Sequence, residues 1–147
     1  RIIAQRAKNS FVTIEGDTVG SIESGLVLLL GVGREDTEED IDFLVGKVVN
    51  LRIFEDGEGK MNESLLETGG EILLVSQFTL YGDTRKGRRP SFIQAAPPEK
   101  AKAFYELFRD KLEALDVRVA TGVFQADMEV HIVNDGPVTI LLDTENR

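Results

Sequence analysis

The stretch from Gly25 to Gly33 constrains the fold more than any other part of the sequence. Its central residues, Leu26–Val32, are apolar apart from one glycine, and turn-forming residues stand at both ends. An apolar run of this length, without polar alternation, is typical of a strand that is buried on both faces. The chain is therefore expected to form a sheet that other elements cover. The run is far too short to span a membrane as a helix.

Two amphipathic helices are predicted to provide that cover. Apolar residues at three- and four-residue spacing predict a helix over Asp36–Asn50, and its acidic first turn suits the helix dipole. A second apolar stripe predicts a helix over Glu99–Leu115, with Pro98 well placed at its first position.

Shorter segments of alternating or β-branched residues make up most of the remaining chain. Strands are predicted at Ile2–Gln5, Phe11–Ile14, Val19–Ile22, Arg52–Phe54, Glu71–Leu80, Val117–Ala120, Met128–Val133 and Val138–Leu142. Loops are predicted over Asp56–Gly70, with one helical turn near Ser64–Leu66, and over Tyr81–Pro98. Since no repeat or linker interrupts the pattern, residues 1–147 are predicted to form one compact α/β domain of antiparallel or mixed strands with two covering helices.

Composition excludes several kinds of active site. The sequence has no cysteine, so disulfides, thiolate metal sites and cysteine nucleophiles are excluded. The net charge of −9 argues against non-specific nucleic-acid binding, although it permits a local basic patch. No secretory signal is recognised, and together with the lack of cysteine this leads us to expect a cytoplasmic protein.

The remaining catalytic chemistry is narrow. His131 is the only histidine, and its alternation with Val130 and Ile132 favours a surface or half-buried strand residue over a catalytic one. The acidic run Glu35–Asp42 is typical of a solvated helix start rather than a metal site, and Gly31–Gly33 does not complete a phosphate-binding loop. Any enzyme here would use hydroxyls, amides and backbone dipoles, which suits an activated substrate such as an ester. No metal or cofactor is expected.

Three stretches are candidates for function. Ser76–Leu80, with the sequence SQFTL, places hydroxyl and amide groups at the end of a predicted strand. Asn134–Thr139 sets Gly136-Pro137 between two predicted strands, although proline cannot donate a ladder hydrogen bond. Arg85–Arg89 carries four positive charges on an otherwise acidic chain. These features are ordinary for a strand end, a turn and a solvated loop, but the charged loop also suits contact with nucleic-acid phosphates.

The first two stretches together resemble the paired signature of the D-aminoacyl-tRNA deacylases, also called D-tyrosyl-tRNA deacylases. Further residues fall where that family has them: Gln5-Arg6, Arg52-Ile53-Phe54, Gly59-Lys60-Met61-Asn62, Arg89-Pro90-Ser91-Phe92, Thr121-Gly122, Phe124, Ala126 and Met128. The resemblance spans nearly the whole chain. One departure is Gln125, where we expect glycine or alanine.

The resemblance implies a barrel-like α/β fold and a homodimer with its active site at the subunit interface. Family members hydrolyse the ester between a D-amino acid and the 3′-terminal adenosine of tRNA, and they release glycine from mischarged tRNA. In the family the Gly-Pro pair, here Gly136-Pro137, is a cis peptide that one subunit inserts into the active site of the other. Its backbone would exclude L side chains. Neither a cofactor, a membrane nor DNA is implied.

Residue roles follow from the same resemblance. Gln77 and Thr79 would line the site, with the backbone N–H groups of Phe78 and Thr79 as oxyanion donors. Thr79 would be either the nucleophile or a neighbour of a water assisted by the ribose 2′-OH, and the lack of a nearby base favours the water. The resemblance also implies a set of substrate-binding residues: Ser76, Phe124, Met128, Asn134, Gly136, Pro137, Val138 and Thr139. Among these, Phe124 and Met128 would pack the adenine. Arg6 would support the Gly-Pro loop, and the tRNA backbone would be contacted by Arg85, Lys86, Arg88 and Arg89. Phe124 also fits a core position, and Arg6 a strand surface.

Two other functions fit the same residues. One is a non-catalytic RNA-binding dimer that keeps the fold, and the intact Gln77, Thr79 and Gly136-Pro137 argue against it. The other is an editing domain of different amino-acid specificity, such as the similar domain of archaeal threonyl-tRNA synthetase. We expect no appended synthetase domain, which argues against that function.

Overall fold

A mixed sheet of five strands forms the centre of the molecule. The computed structural model describes residues 1–147. Its elements in chain order are β1 (Ile2–Ile14), β2 (Asp17–Leu30), α1 (Glu38–Asn50), β3 (Phe54–Glu55), β4 (Met61–Glu63), α2 (Leu65–Thr68), β5 (Glu71–Ser76), a 3-10 turn (Phe78–Tyr81), α3 (Pro98–Glu113), β6 (Val119–Thr121), β7 (Glu129–Leu142) and a last 3-10 turn (Thr144–Asn146).

The strand order in the sheet is β6-β5-β2-β1-β7. β5 runs parallel to both β2 and β6, whereas β1 is antiparallel to β2 and β7. β3 and β4 form a separate two-stranded hairpin. The α/β class, the mixed pairing and the two long helices are thus confirmed. No helix is long and apolar enough to span a membrane.

Alternate residues of β2 enter two different cores, which confirms that this strand is buried on both faces. Leu26 and Leu28 pack with Ile72 in the larger core, beneath α1 and α3. Val27 packs with Leu73 in a smaller core on the other face. Side chains from all five strands of the sheet contact this smaller core, so the sheet curls around it as a barrel-like layer.

The first two strands are longer than predicted. β1 continues through Lys8 and Asn9, and β2 continues through the polar segment before Gly25. Ser10 lies inside β1 with no exposure, and its hydroxyl donates to the Lys8 carbonyl at 3.1 Å and accepts from the Val133 N–H at 3.0 Å. Lys8 pairs with both Ser24 and Val133 and Ser10 pairs with Ile22, whereas Asn9 lies at the irregularity between them.

Other elements also differ from their predicted bounds. β4 lies within the segment predicted as a loop over Asp56–Gly70, and β3 begins two residues later than the predicted strand at Arg52. The short helix α2 confirms the helical turn that was predicted near Ser64–Leu66 within that loop. α1 begins at Glu38, two residues after the predicted start, where Thr37 and Asp40 form a capping box. α3 has Pro98 at its first position, as predicted, and ends at Glu113 rather than Leu115.

Candidate active site

A cleft of about 700 Å³ opens at the end of β5. Three parts of the chain line most of it: Ser76, Gln77 and Phe78 after β5, Pro97, Pro98 and Ala101 at the start of α3, and Phe124, Gln125, Ala126, Asp127 and Met128 between β6 and β7. An apolar cleft with a few polar groups at one end is the usual form of a small-molecule site.

β5 ends at Ser76, so the prediction of a strand through Leu80 is wrong. The N–H of Gln77 donates to the Leu30 carbonyl at 2.7 Å, and the chain then turns into the 3-10 segment Phe78–Tyr81. Gly31 makes this turn possible, because a Cβ there would lie 3.0 Å from both the Gln77 carbonyl oxygen and the Leu80 Cβ. The glycine that fits no phosphate-binding loop thus leaves room for the candidate catalytic turn.

The polar end of the cleft is formed by Gln77 and Thr79. Gln77 is half-buried, Thr79 is exposed, and the Gln77 side-chain amide donates to the Thr79 hydroxyl. This hydroxyl has no histidine or carboxylate hydrogen-bonded to it. Since an unassisted threonine hydroxyl is a weak nucleophile, the local chemistry favours a positioning role for Thr79.

The backbone of the 3-10 turn offers donors beside the cleft. Phe78 and Thr79 are its first residues, so their N–H groups have no acceptor within the turn. The Gly82 N–H donates to the Thr79 carbonyl at 2.9 Å, and the Arg1 guanidinium donates to the Leu80 carbonyl at 3.0 Å. These bonds fix the turn, so an oxygen carrying negative charge can find preorganised donors there.

The opposite wall of the cleft is apolar and partly aromatic. Phe124 is half-buried, and its ring lies 5.9 Å from that of Tyr105. The Tyr105 hydroxyl donates to the Leu74 carbonyl at 2.9 Å, and burial raises the pKa of Tyr105 to about 12, so it remains a donor at neutral pH. Phe124 therefore packs on the main core and also lines the cleft with Met128.

Gln125, the residue that departs from the expected family pattern, lies on the rim of this wall. Its backbone is left-handed, with a φ of 66°, and its side chain is exposed. Glycine adopts this conformation without steric cost, which gives a physical reason for expecting a small residue there.

The segment Asn134–Thr139 lies inside one continuous strand. The prediction of two separate strands, Met128–Val133 and Val138–Leu142, around a turn is wrong, because β7 pairs with β1 on both sides of the segment. The pairs Ala7–Asn134 and Gln5–Thr139 flank it, so four residues of β7 bulge out opposite Arg6. We call Asp135–Val138 the Gly-Pro bulge. Its Gly136–Pro137 peptide bond is cis, and both residues are exposed.

Side chains at both ends hold the Gly-Pro bulge in place. The Asn134 side chain accepts from the Val138 N–H at 3.0 Å and donates to the Thr139 hydroxyl at 2.9 Å. Arg6 is only 8% exposed, and it donates to the carbonyls of Asp135 and Ile53, each at 2.9 Å. Arg6 is thus a buried brace behind the bulge rather than a surface residue.

The sequence-predicted site residues fall into two separate places within one chain. Ser76, Gln77, Phe78, Phe124 and Met128 meet at the cleft, with Thr79 beside them. The Gly-Pro bulge is elsewhere: Arg6 and Asp135 line a second cleft, of about 500 Å³, together with Glu71. Glu71 begins β5 whereas Ser76 ends it, and a strand of this length spans about 16 Å.

The predicted basic loop projects between the 3-10 turn and Phe92. Arg85 pairs with Asp83 at 2.7 Å, and hydrogen bonds from Arg85 lower the pKa of Asp83 to about 2. Lys86, Arg88 and Arg89 are exposed and form no ion pair within the chain.

The other titratable candidates lie outside the cleft. His131 is exposed, as predicted, and its ring stacks on Phe11 at 4.4 Å. The acidic residues at the start of α1 form a capped helix start, and Lys111 of α3 pairs with Glu38 and Asp42 across the two helices. No group of three histidine or carboxylate side chains is placed as metal ligands would be.

Comparisons with known proteins agree with one another. The family model described as D-Tyr-tRNA(Tyr) deacylase matches residues 3–143. The D-aminoacyl-tRNA deacylase of Thermosipho africanus is 57% identical over 145 residues, covering 99% of this chain and 97% of its own. The D-aminoacyl-tRNA deacylase of Desulfitobacterium hafniense is 57% identical over 147 residues, covering 100% of this chain and 99% of its own.

Two solved structures share the fold. One, described as a c-Myc DNA unwinding element binding protein, superposes with a TM-score of 0.91 at 41% identity and covers 97% of both chains. The other, a probable eukaryotic D-amino acid tRNA deacylase, has a TM-score of 0.78 at 20% identity and covers 95% of this chain and 96% of its own. The second similarity concerns the fold alone.

Proposed function

Since the chain belongs to the D-aminoacyl-tRNA deacylase family and is an enzyme of that class, we propose that its Gly-Pro bulge selects the substrate in the cleft of a second subunit. The reaction is hydrolysis of the ester that joins a D-amino acid to the 3′-terminal adenosine of tRNA. Its biological role is chiral proofreading of aminoacyl-tRNA in the cytoplasm. The substrate and the partner subunit are the only ligands that this function requires.

The separation of the two groups of site residues carries the proposal. Within one chain, the Gly-Pro bulge lies near the start of β5 and the cleft lies at the end of this strand, which is about 16 Å long. β7 is an edge strand of the sheet, so a second copy can reach the bulge. A two-fold dimer would then contain two sites, each with a cleft from one subunit and a bulge from the other.

Selection at the bulge depends on shape. Gly136 and Pro137 are exposed and present no functional side chain, so they contribute backbone and ring atoms only. An L side chain on the bound aminoacyl ester would collide with this backbone, whereas a D side chain would point away from it. Exclusion by collision tolerates many D-amino acids. Glycine has no side chain to exclude, so glycyl-tRNA is hydrolysed as well.

The cleft supplies binding and electrostatic stabilisation. The terminal adenine packs against Phe124 and Met128, and the ester carbonyl lies against the N–H groups of Phe78 and Thr79. A water assisted by the ribose 2′-OH attacks the carbonyl carbon, and the ribose 3′-oxygen leaves with a proton. One oxyanion donor contributes about 10²- to 10³-fold in rate in a well-studied protease. Gln77 holds the Thr79 hydroxyl by its hydrogen bond.

One structural relative is named for binding a DNA element, but this chain supports DNA binding less well than it supports hydrolysis of D-aminoacyl-tRNA. The chain carries a net charge of −9, and the unpaired cations of the basic loop are confined to one short segment. Sustained contact with duplex phosphates requires a broader positive surface.

The function is tested with matched D-Tyr-tRNA, L-Tyr-tRNA and Gly-tRNA. We expect release of D-tyrosine and glycine and no release of L-tyrosine above the uncatalysed rate. Binding without hydrolysis would instead indicate the RNA-binding dimer, and hydrolysis of an L-aminoacyl-tRNA would indicate an editing domain of different specificity.

A further inference from the structure

An exposed aromatic pair lies at the mouth of the cleft. Phe78 is 54% exposed and Phe92 is 37% exposed, and their rings meet edge to face at 5.0 Å. The neighbouring Ile93 is 65% exposed. Only part of this apolar surface is needed to line the cleft, and the remainder faces solvent beside it.

The basic loop is attached directly to this pair. Asp83 and Ser91 exchange two backbone hydrogen bonds, of 2.8 and 2.9 Å, which close the base of the loop immediately before Phe92. Gly82 lies against the Phe92 ring and the Thr79 carbonyl, since a Cβ there would be 3.2 and 3.1 Å from them. The catalytic turn, the aromatic pair and the loop therefore form one connected surface.

Three of the four cations in the loop are free to bind a ligand. Arg85 is held by Asp83, whereas Lys86, Arg88 and Arg89 are exposed without an acidic partner. On a chain of net charge −9, this local positive charge is complementary to phosphate groups. Aromatic rings beside unpaired cations are the combination that binds single-stranded nucleic acid, because bases stack on the rings while phosphates meet the cations.

We propose that Phe78, Phe92 and the cations Lys86, Arg88 and Arg89 bind the unpaired nucleotides that precede the terminal adenosine of tRNA. This inference rests on the proposed function, which places that adenosine in the adjoining cleft. Unstacked bases of a single strand can lie on an aromatic side chain, whereas bases within the acceptor stem are stacked in the duplex. The surface therefore recognises the single-stranded end of the tRNA rather than its helical stem.

The test compares two minimal substrates, D-Tyr-adenosine and the trinucleotide CCA carrying D-tyrosine on its 3′ end. For the wild-type protein, kcat/KM is expected to be at least about tenfold higher for the trinucleotide, since one stacked base corresponds to about 5- to 150-fold in affinity. Phe92→Ala is expected to remove most of this ratio. Phe92→Leu keeps apolar packing but lacks an aromatic face, and it is expected to lower the ratio as well.

The charge contribution is measured by salt dependence. Fluorescence anisotropy of labelled, non-acylated CCA gives an affinity that does not depend on hydrolysis. Replacing both Arg88 and Arg89 by Ala is expected to weaken binding and to make the slope of log K against log salt less negative by about 1.4, because each phosphate contact on a single strand contributes about 0.7. Lys102→Ala is the matched control, because Lys102 is exposed on α3 and has no acidic partner. Its slope is expected to equal that of the wild type.

Several results would overturn the inference. Equal kcat/KM for the two substrates would show that the preceding nucleotides make no contact. If Phe92→Ala lowers kcat/KM equally on both substrates, the Phe92 ring contributes only to the cleft. If that variant becomes a monomer, Phe78 and Phe92 form a contact between subunits instead. If the protein binds CCA through these residues but hydrolyses neither substrate, the proposed function fails while the nucleotide surface stands.

Discussion

At the scale of single residues, substitutions of Thr79 and Gly136 are expected to affect different steps: the first lowers kcat and the second prevents substrate binding. Thr79→Ala removes the hydroxyl that Gln77 holds beside the cleft. We expect kcat to fall while the preference for D-Tyr-tRNA over L-Tyr-tRNA stays, because the proposed collision with the L side chain involves the Gly-Pro bulge and not Thr79. The measurement is kcat/KM on both substrates. Hydrolysis of L-Tyr-tRNA by this variant would place stereochemical selection in the Thr79 side chain.

Gly136→Ala should abolish binding of D-aminoacyl esters without creating activity on L-aminoacyl-tRNA. Gly136 has a φ of 139°, and a Cβ there would lie 2.8 Å from Val138 Cγ2 and 3.0 Å from the Val138 nitrogen. The bulge must therefore shift, and its surface no longer fits the substrate. Gly57→Ala is the control, because nothing lies within 4 Å of a Cβ at that position. Wild-type kcat/KM in Gly136→Ala would contradict the role of the bulge.

The individual site residues differ in how far the sequence could predict them. Gln77 and Thr79 are polar residues at the end of an apolar strand, so they stand out even before the family resemblance is considered. Arg6 could not be placed from periodicity, since its burial depends on carbonyls of Asp135 and Ile53 that are distant in sequence. The sequence does not predict the role of Gly31 either, because the turn that this glycine accommodates lies more than forty residues further along the chain.

At the scale of elements, the 3-10 turn after β5 sets the position of the candidate catalytic groups. Gly31→Ala would press a Cβ against the Gln77 carbonyl oxygen and the Leu80 Cβ, each at 3.0 Å. A shift of a few tenths of an ångström in the turn is expected to lower kcat by about tenfold, since a 1 Å misplacement costs about 100-fold. Steady-state kinetics on D-Tyr-tRNA, with urea unfolding to check stability, measure the effect.

Gly46→Ala is the matched control for that substitution. Gly46 lies within α1, and no atom is within 4 Å of a Cβ there. Alanine should stabilise the helix by about 0.5–1 kcal/mol and leave kcat unchanged. If Gly31→Ala also leaves kcat unchanged, the position of the turn does not limit catalysis.

The elements with strong periodicity could be predicted, and the irregular ones could not. The two helices and the buried part of β2 follow from apolar spacing, which is a property of the local sequence. The end of β5 and the continuity of β7 depend instead on which strand lies opposite. Nothing near Gly136-Pro137 indicates that pairing resumes with Gln5 opposite Thr139. The bulge therefore resembles a turn between two strands when the sequence is considered alone.

At the scale of the whole molecule, a complete site with both a cleft and a Gly-Pro bulge would need a second subunit. The cleft and the Gly-Pro bulge are both formed within one chain, yet they lie at opposite ends of β5. Composition and periodicity could not predict this separation, because it depends on how the curled sheet positions β7 relative to β5. The proposed composite site is therefore a property of the assembly rather than of any single residue.

Subunit complementation measures whether the active site is shared between two subunits. One subunit carries Gln77→Ala and Thr79→Ala, the other carries Gly136→Ala, and the heterodimer is purified through two different tags. Each altered homodimer is expected to be nearly inactive on D-Tyr-tRNA. The heterodimer should regain roughly half of the wild-type activity, because one of its two sites combines an intact cleft with an intact bulge. A heterodimer as inactive as the two altered homodimers would contradict the composite site. So would a wild-type protein that is monomeric by light scattering and fully active at the same concentration.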